Sequence, residues 1–376
     1  MLLQLIDFRI DLKSASSSHV PDVAARGGRK GPYQADNVRI SRKYCRCGRV
    51  RRQSTTVGLL AAIALSGSVF MRAVAGTSCD YQDLMPAYEN FAAATSGVPP
   101  EERAAEFLTQ ITEHYPDYYA KEVFGDEAKI TTRSAQFFAS AQSAAIFQDV
   151  PPLNLQRLSE LAKVVGPQFA MEQSRFMQTF PDFTCDTAVE FGVSLLMFDG
   201  HPAQFAGKQH LLFGVDTIAL LHVPSDMAAF FDHELFHLYH RQIVGSRAPP
   251  GEDPAWWTMW REGLATYVSQ RMNPTLDAQQ VLWYPHDLVA RMQKDLAHAA
   301  QLMLKDIDTR GSGADRWFIA NQVVEDLPSR AGYYLGYLFA KSEGDAQALP
   351  KLARMSPDQV HADAVKFLRR LGHVPR

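Results

Sequence analysis

Long apolar runs are missing from this chain of 376 residues. None reaches the ~18 residues that read as a membrane-crossing helix, which excludes a polytopic membrane protein. Cysteine is scarce, at four, and Cys45-x-Cys47 lacks the second ligand pair that would make it a metal site. The 23 Gly and 21 Pro follow no period, so neither a collagen-like nor a low-complexity chain fits, and no internal repeat is present. What the chain does have is apolar mass. With 46% hydrophobic and 11% aromatic residues, it is no disordered tail and can build one large globular domain or two modest ones.

Charge is unevenly spread. Residues 1–75 carry 13 Lys and Arg against 4 Asp and Glu, whereas the remaining chain carries 25 against 37. The acidic body offers no basic footprint for phosphate backbones, so nucleic acid is not an expected partner. Within the basic segment, Arg49, Arg51 and Arg52 precede the apolar stretch Val57–Met71, and Ala73-Val74-Ala75 follows. A basic n-region, a 15-residue h-region and an A-x-A site make up a secretory signal peptide, read here over 50–75. At ~1.5 Å per residue that stretch spans about 22 Å, short of the ~30 Å hydrocarbon core, so cleavage is expected rather than a lasting membrane span. Residues 1–49 fit no targeting class and read as a non-native or disordered upstream segment. The expected location is the periplasm or the extracellular medium. Export would leave Cys79 and Cys185 in the processed chain, where they either form one bridge or remain two buried thiols.

The processed chain reads as α+β and predominantly helical. Residues 76–180 form an N-terminal helical region, with a helix start at Pro99-Pro100-Glu101-Glu102 and further helices over 127–148 and 153–178. Residues 181–376 open with two strand-like runs, Val189–Phe198 and Leu211–Leu221, and then turn helical. Ser225 or Asp226 can cap the first of these later helices.

That helix carries His233-Glu234-Leu235-Phe236-His237. Positions i and i+4 share a helix face, so both imidazoles can reach one Zn²⁺. Glu234 is offset by one residue, close enough to handle a proton without being a ligand. Phe230, Phe231, Leu235, Phe236 and Leu238 make the helix apolar on most sides, and buried His and Glu must be paired or bound to metal. A catalytic zinc site needs a third ligand. Glu262, in Trp256-Trp257-Thr258-Met259-Trp260-Arg261-Glu262-Gly263-Leu264-Ala265-Thr266-Tyr267, is the candidate, and Gly263 and Ala265 are small enough to let its helix pack close to the His helix. His240 either adds a fourth polar residue near the site or, turned away from His233 on the helix, lies exposed. His286, His298 and His361 read as isolated.

HELFHLYH followed by WWTMWREGLATY resembles the gluzincin zinc metallopeptidases over residues 186–342. Its W-W…E-G-x-A-x-Y run is similar to the aminopeptidase-N branch, and its flanks to bacterial predicted zinc-dependent proteases of unknown substrate. The resemblance implies a zincin-like domain with a small sheet, an HExxH helix and a Glu-bearing helix. It also implies Zn²⁺ held by His233, His237 and Glu262, Glu234 as general base, and a peptide or protein substrate. It points further to Gly332-Tyr333-Tyr334-Leu335-Gly336-Tyr337, where Tyr333 would donate to the oxyanion, with Tyr334 and Tyr337 as competitors. The chain departs from the pattern twice. It has no G-x-M-E-N segment to grip a substrate amino terminus, and Thr266 stands where thermolysin-like enzymes keep an Asp behind a ligand His. The expected activity is an exported zinc peptidase. The alternative is a zinc-binding but non-catalytic periplasmic module.

Overall fold

The computed structural model describes residues 77–140, 153, 155–222, 226–344 and 348–373, all within one compact unit. The upstream segment, the signal peptide and the stretch 141–148 lie outside the described residues. The fold is predominantly helical with one four-stranded sheet. No helix among the described residues is long and apolar enough to cross a membrane.

The strands are β1 (Tyr81–Asp83), β2 (Thr187–Gly192), β3 (Gly200–Phe205) and β4 (Lys208–Gly214), in the order β1-β2-β4-β3. β1, β2 and β4 run parallel, and β3 runs antiparallel to β4 at the sheet's edge. Ala206 and Gly207 both take positive φ, the two-residue turn whose twist matches a hairpin. Two of these strands correct the sequence expectation. The run Leu211–Leu221 is strand only to Gly214, and Val215–Leu221 is helix. A short apolar run reads alike in a buried strand and a buried helix. Val189–Phe198 is strand only to Gly192. Beyond it, buried Asp216 accepts bonds from Ser194 N (2.7 Å), Ser194 Oγ (3.0 Å) and Leu196 N (2.7 Å). That grip folds Leu195 and Leu196 into positive φ and turns the chain back into β3.

The region 77–180 is not a separate body. It supplies β1, and its helix Val165–Thr179 lays Phe169 against Phe191, Phe213 and Phe231, with ring centroids 5.5–5.7 Å apart. Cys79 and Cys185 are joined in a disulfide that spans 106 positions. The expected helix start at Pro99-Pro100 stands as Pro100–Phe107, with Glu101 and Glu102 in its first turn. Asp226 stands at the N-cap of the His helix, Met227–Val244, but its side chain makes no cap bond. Its carboxylate lies instead 3.6 Å from His222 Nδ1.

Candidate metal centre

Three helices build the site. The His helix brings His233, Glu234 and His237; the Glu helix, Ala255–Met272, brings Glu262; the tyrosine helix, Ala331–Gly344, brings Tyr333. Nearly every side of the His helix is apolar and covered, which forces its polar side chains into whatever cavity remains. Its preceding residue, Asp232, bonds Arg175 of the helix Val165–Thr179 and Asn273 Nδ2 (2.7 Å) just past the Glu helix. One buried carboxylate thus ties three elements together.

His233 Nε2 and His237 Nε2 are 3.0 Å apart, and Glu262 Oε2 lies 3.5 Å from the first and 3.2 Å from the second. A tetrahedral zinc with ligand bonds of ~2.0–2.1 Å separates its ligand atoms by about 3.3–3.4 Å. The triangle therefore fits a zinc ion, and the donor set of two imidazoles and a carboxylate suits it. The other carboxylate oxygen, Oε1, is held by Arg261 at 3.2 Å, and Arg261 is itself paired with Asp253 at 2.5 Å. Burial alone would raise the Glu262 pKa, but the charge and hydrogen bonds of His237 and His233, with Arg261 beside them, hold it well below the usual carboxylate range. Burial pushes His237 down to about 4. A carboxylate facing the neutral imidazole of His237 suits metal ligation, which needs deprotonated ligands.

Glu234 points elsewhere. Its carboxyl lies against Gly200 at the start of β3, where an added Cβ would come within 2.7 Å of Glu234 Cδ. A side chain at position 200 would push that carboxyl aside. Burial, then the charges of Asp199 and Glu262, push the Glu234 pKa well above its ordinary value. Asp199 is ionised through His222, whose Nε2 stands 3.1 Å from Asp199 Oδ2.

Tyr333 lines the same cavity of about 320 Å³ as His233, Glu234, His237 and Glu262. Tyr334 and Tyr337 do not: Tyr334 Oη accepts from Gln293 (3.4 Å) and Tyr337 Oη donates to Gln270 (2.6 Å). Burial raises the Tyr333 pKa far above 10, so its hydroxyl keeps its proton.

Two expectations need correction and a third is decided. Gly263 does not face the His helix; it meets Gly336 of the tyrosine helix, backbone to backbone. Of the two places open to His240 the structure gives the one near the site: it is buried and lines the cavity, stacked on Phe236 (5.7 Å) with Trp257 tilted against its ring (5.6 Å). His298 is not isolated, lying 3.4 Å from Glu325 and 3.7 Å from Asp326 in an exposed cluster, and His361 lies 3.0 Å from Asp308. Thr266 donates to the backbone oxygen of Glu262 (2.8 Å), and His233 Nδ1 has no hydrogen-bond partner among the described residues.

No protein-family model, curated protein or solved structure matches the chain. What the site can do follows from its own geometry.

That geometry also contains residues that the sequence pattern does not single out. Arg261 could have been suspected, as a cation directly preceding the candidate ligand. Asp199 is visible in the sequence only as half of an Asp-Gly turn. Arg330, which lines the cavity beside Tyr333, leaves no local signal.

Proposed function

We propose that this protein is a zinc-dependent peptidase of zincin-like architecture, and that it works in an exported compartment. The carrying observation is the triangle of His233, His237 and Glu262 ligand atoms in one cavity with the carboxyl of Glu234 and the hydroxyl of Tyr333. The disulfide between Cys79 and Cys185 supports an oxidising location. A zinc ion held by His233, His237 and Glu262 would supply a Lewis acid for the scissile carbonyl, acidify a water and draw the Glu234 pKa back down.

The chain's own residues then divide the remaining work. β3 leaves one edge of the sheet open beside Glu234, so a peptide can lie along it in extended form. Glu234 takes a proton from the attacking water as the water oxygen adds to the carbonyl carbon. It delivers that proton to the amine nitrogen as the C–N bond breaks. Tyr333, still protonated, donates to the oxygen on which negative charge develops, a contact worth ~3 kcal/mol in comparable sites. Arg261 and Asp253 hold Glu262 in its ligating pose. Trp257, Trp283 and Leu238 make part of the cavity wall apolar.

The test is cleavage of a mixed peptide library by untagged protein, with chelator and with zinc added back. The reading expects cleavage that chelation abolishes and zinc restores. Cleavage indifferent to the chelator, or none in zinc-loaded protein, would contradict it.

A further inference from the structure

The open rim of β3 is short of donors where the chemistry would occur. Asp199 O accepts from Gly214 N at 3.0 Å, which fixes the alternation along the hairpin. Residues 201, 203 and 205 therefore bond to β4, while Gly200, Pro202 and Gln204 turn their backbone groups to the open edge. Pro202 has no N–H. Gly200 N already donates to its neighbour's carboxylate, Asp199 Oδ1, at 2.9 Å. The rim beside Glu234 thus offers carbonyl oxygens alone, and the N–H of Gln204 lies about 7 Å beyond Pro202. A peptide laid there can donate to the strand, but its reacting carbonyl must find donors elsewhere in the cavity.

Arg330 meets that need. It is buried, at 7% exposure, yet lines the cavity. Its Nη1 donates to Leu282 O (3.2 Å) and Tyr284 O (2.9 Å), and its guanidinium carbon stands 4.1 Å from the centre of the Tyr333 ring. Its Nε–H is enclosed and has no hydrogen-bond partner among the described residues, and its guanidinium hydrogen-bonds the Tyr333 side chain. Its backbone sits at φ 61°, a conformation that is costly for a long side chain and that recurs at functional sites. The other cavity arginines are committed, Arg261 to Asp253 and Glu262, Arg241 to Gln209 and Thr187. Arg330 and Tyr333 thus present their polar ends together at one part of the cavity lining.

We infer that Arg330, alongside Tyr333, supplies the hydrogen bond that the β3 rim withholds from the substrate carbonyl, and so acts as a second donor to the tetrahedral oxyanion. This rests on the peptidase reading above, and the test separates the two.

Two probes are titrated calorimetrically into zinc-loaded wild type, Arg330→Met and Arg330→Lys. Acetohydroxamate reports the metal alone; a phosphinic analogue of trialanine mimics the tetrahedral oxyanion. The inference expects Arg330→Met to bind acetohydroxamate as the wild type does and the phosphinic tripeptide ~100-fold or more weakly. Arg330→Lys, which keeps the charge without the planar fork, should fall between. Equal phosphinic affinity in wild type and Arg330→Met overturns the inference and leaves the peptidase reading standing. A wild type that takes acetohydroxamate but not the phosphinic tripeptide overturns both, as does one that takes neither. Should Arg330→Met fail to fold, Arg330→Lys decides, and wild-type phosphinic affinity in that variant is the overturning result.

Discussion

Gly263 and Gly336 meet with nothing between them: a Cβ on Gly263 would fall 2.0 Å from the carbonyl carbon of Gly336, and one on Gly336 would fall 2.1 Å from Met259 O. Glu262 is the neighbour of the first glycine, and Tyr333 lies one turn before the second. The contact sets the spacing between candidate ligand and candidate oxyanion donor.

Either glycine should therefore resist alanine. Gly263→Ala or Gly336→Ala must push apart a pair of helices whose backbones cannot yield, with an expected loss of about 1–3 kcal/mol or more. Urea unfolding measures it. A loss below ~0.5 kcal/mol in both variants would mean that the helices are free to shift.

Glu234→Gln should retain metal and lose hydrolysis. Glu234 faces Gly200 rather than the ligand triangle, so its charge is not needed for ligation. The expected loss in kcat is 10²–10⁴-fold, the ordinary worth of a general base. Zinc content by elemental analysis, with kcat on a library-selected peptide, checks both halves. Near-wild-type turnover would remove Glu234 from its role.

Arg261→Met should weaken zinc without abolishing it. The guanidinium fixes Glu262 Oε1 and is fixed in turn by Asp253. Outer partners of this kind are worth ~10–100-fold in metal affinity. Competition with a fluorescent chelator would read the change, and Asp253→Asn should move it in the same direction by less.

His240 should make the metal-free protein sensitive to acid. Burial holds its pKa near 3 in the fold, against ~6.5 in the unfolded chain. Below pH ~6.5 the unfolded state gains a proton that the folded state refuses, so stability falls with pH by up to about 1.4 kcal/mol per unit from this group. His240→Phe, which preserves the stack between Phe236 and Trp257, lacks this term. The stability difference between variant and wild type should therefore shift in the variant's favour from pH 7 to pH 4.5. A pH-independent difference would show that His240 is protonated inside the fold.

Much of this site is local in sequence, and to that extent it is legible there. The i, i+4 spacing of His233 and His237 is a property of one helix, and Glu262 stands out by its aromatic, helical surroundings. The helices themselves follow from apolar periodicity. What stays hidden depends on distant segments. β1 is three residues long and becomes a strand only beside β2. β3 contains Gly200, Pro202 and no alternation, and is held in place by its turn and by the Asp216 grip on the preceding loop. The partner of Gly263 lies 73 positions away. His240 is buried by Trp257 from another helix, and Arg330 is positioned by carbonyls of Leu282 and Tyr284. Spacing along the chain carries none of that.

The proposed chemistry requires a single ion shared by two helices. Elemental analysis of untagged protein, for wild type and Glu262→Ala expressed in parallel, tests it most directly. One zinc per wild-type chain and none in Glu262→Ala is the expected result. Full zinc in Glu262→Ala, or none in the wild type after incubation with the metal, would contradict it.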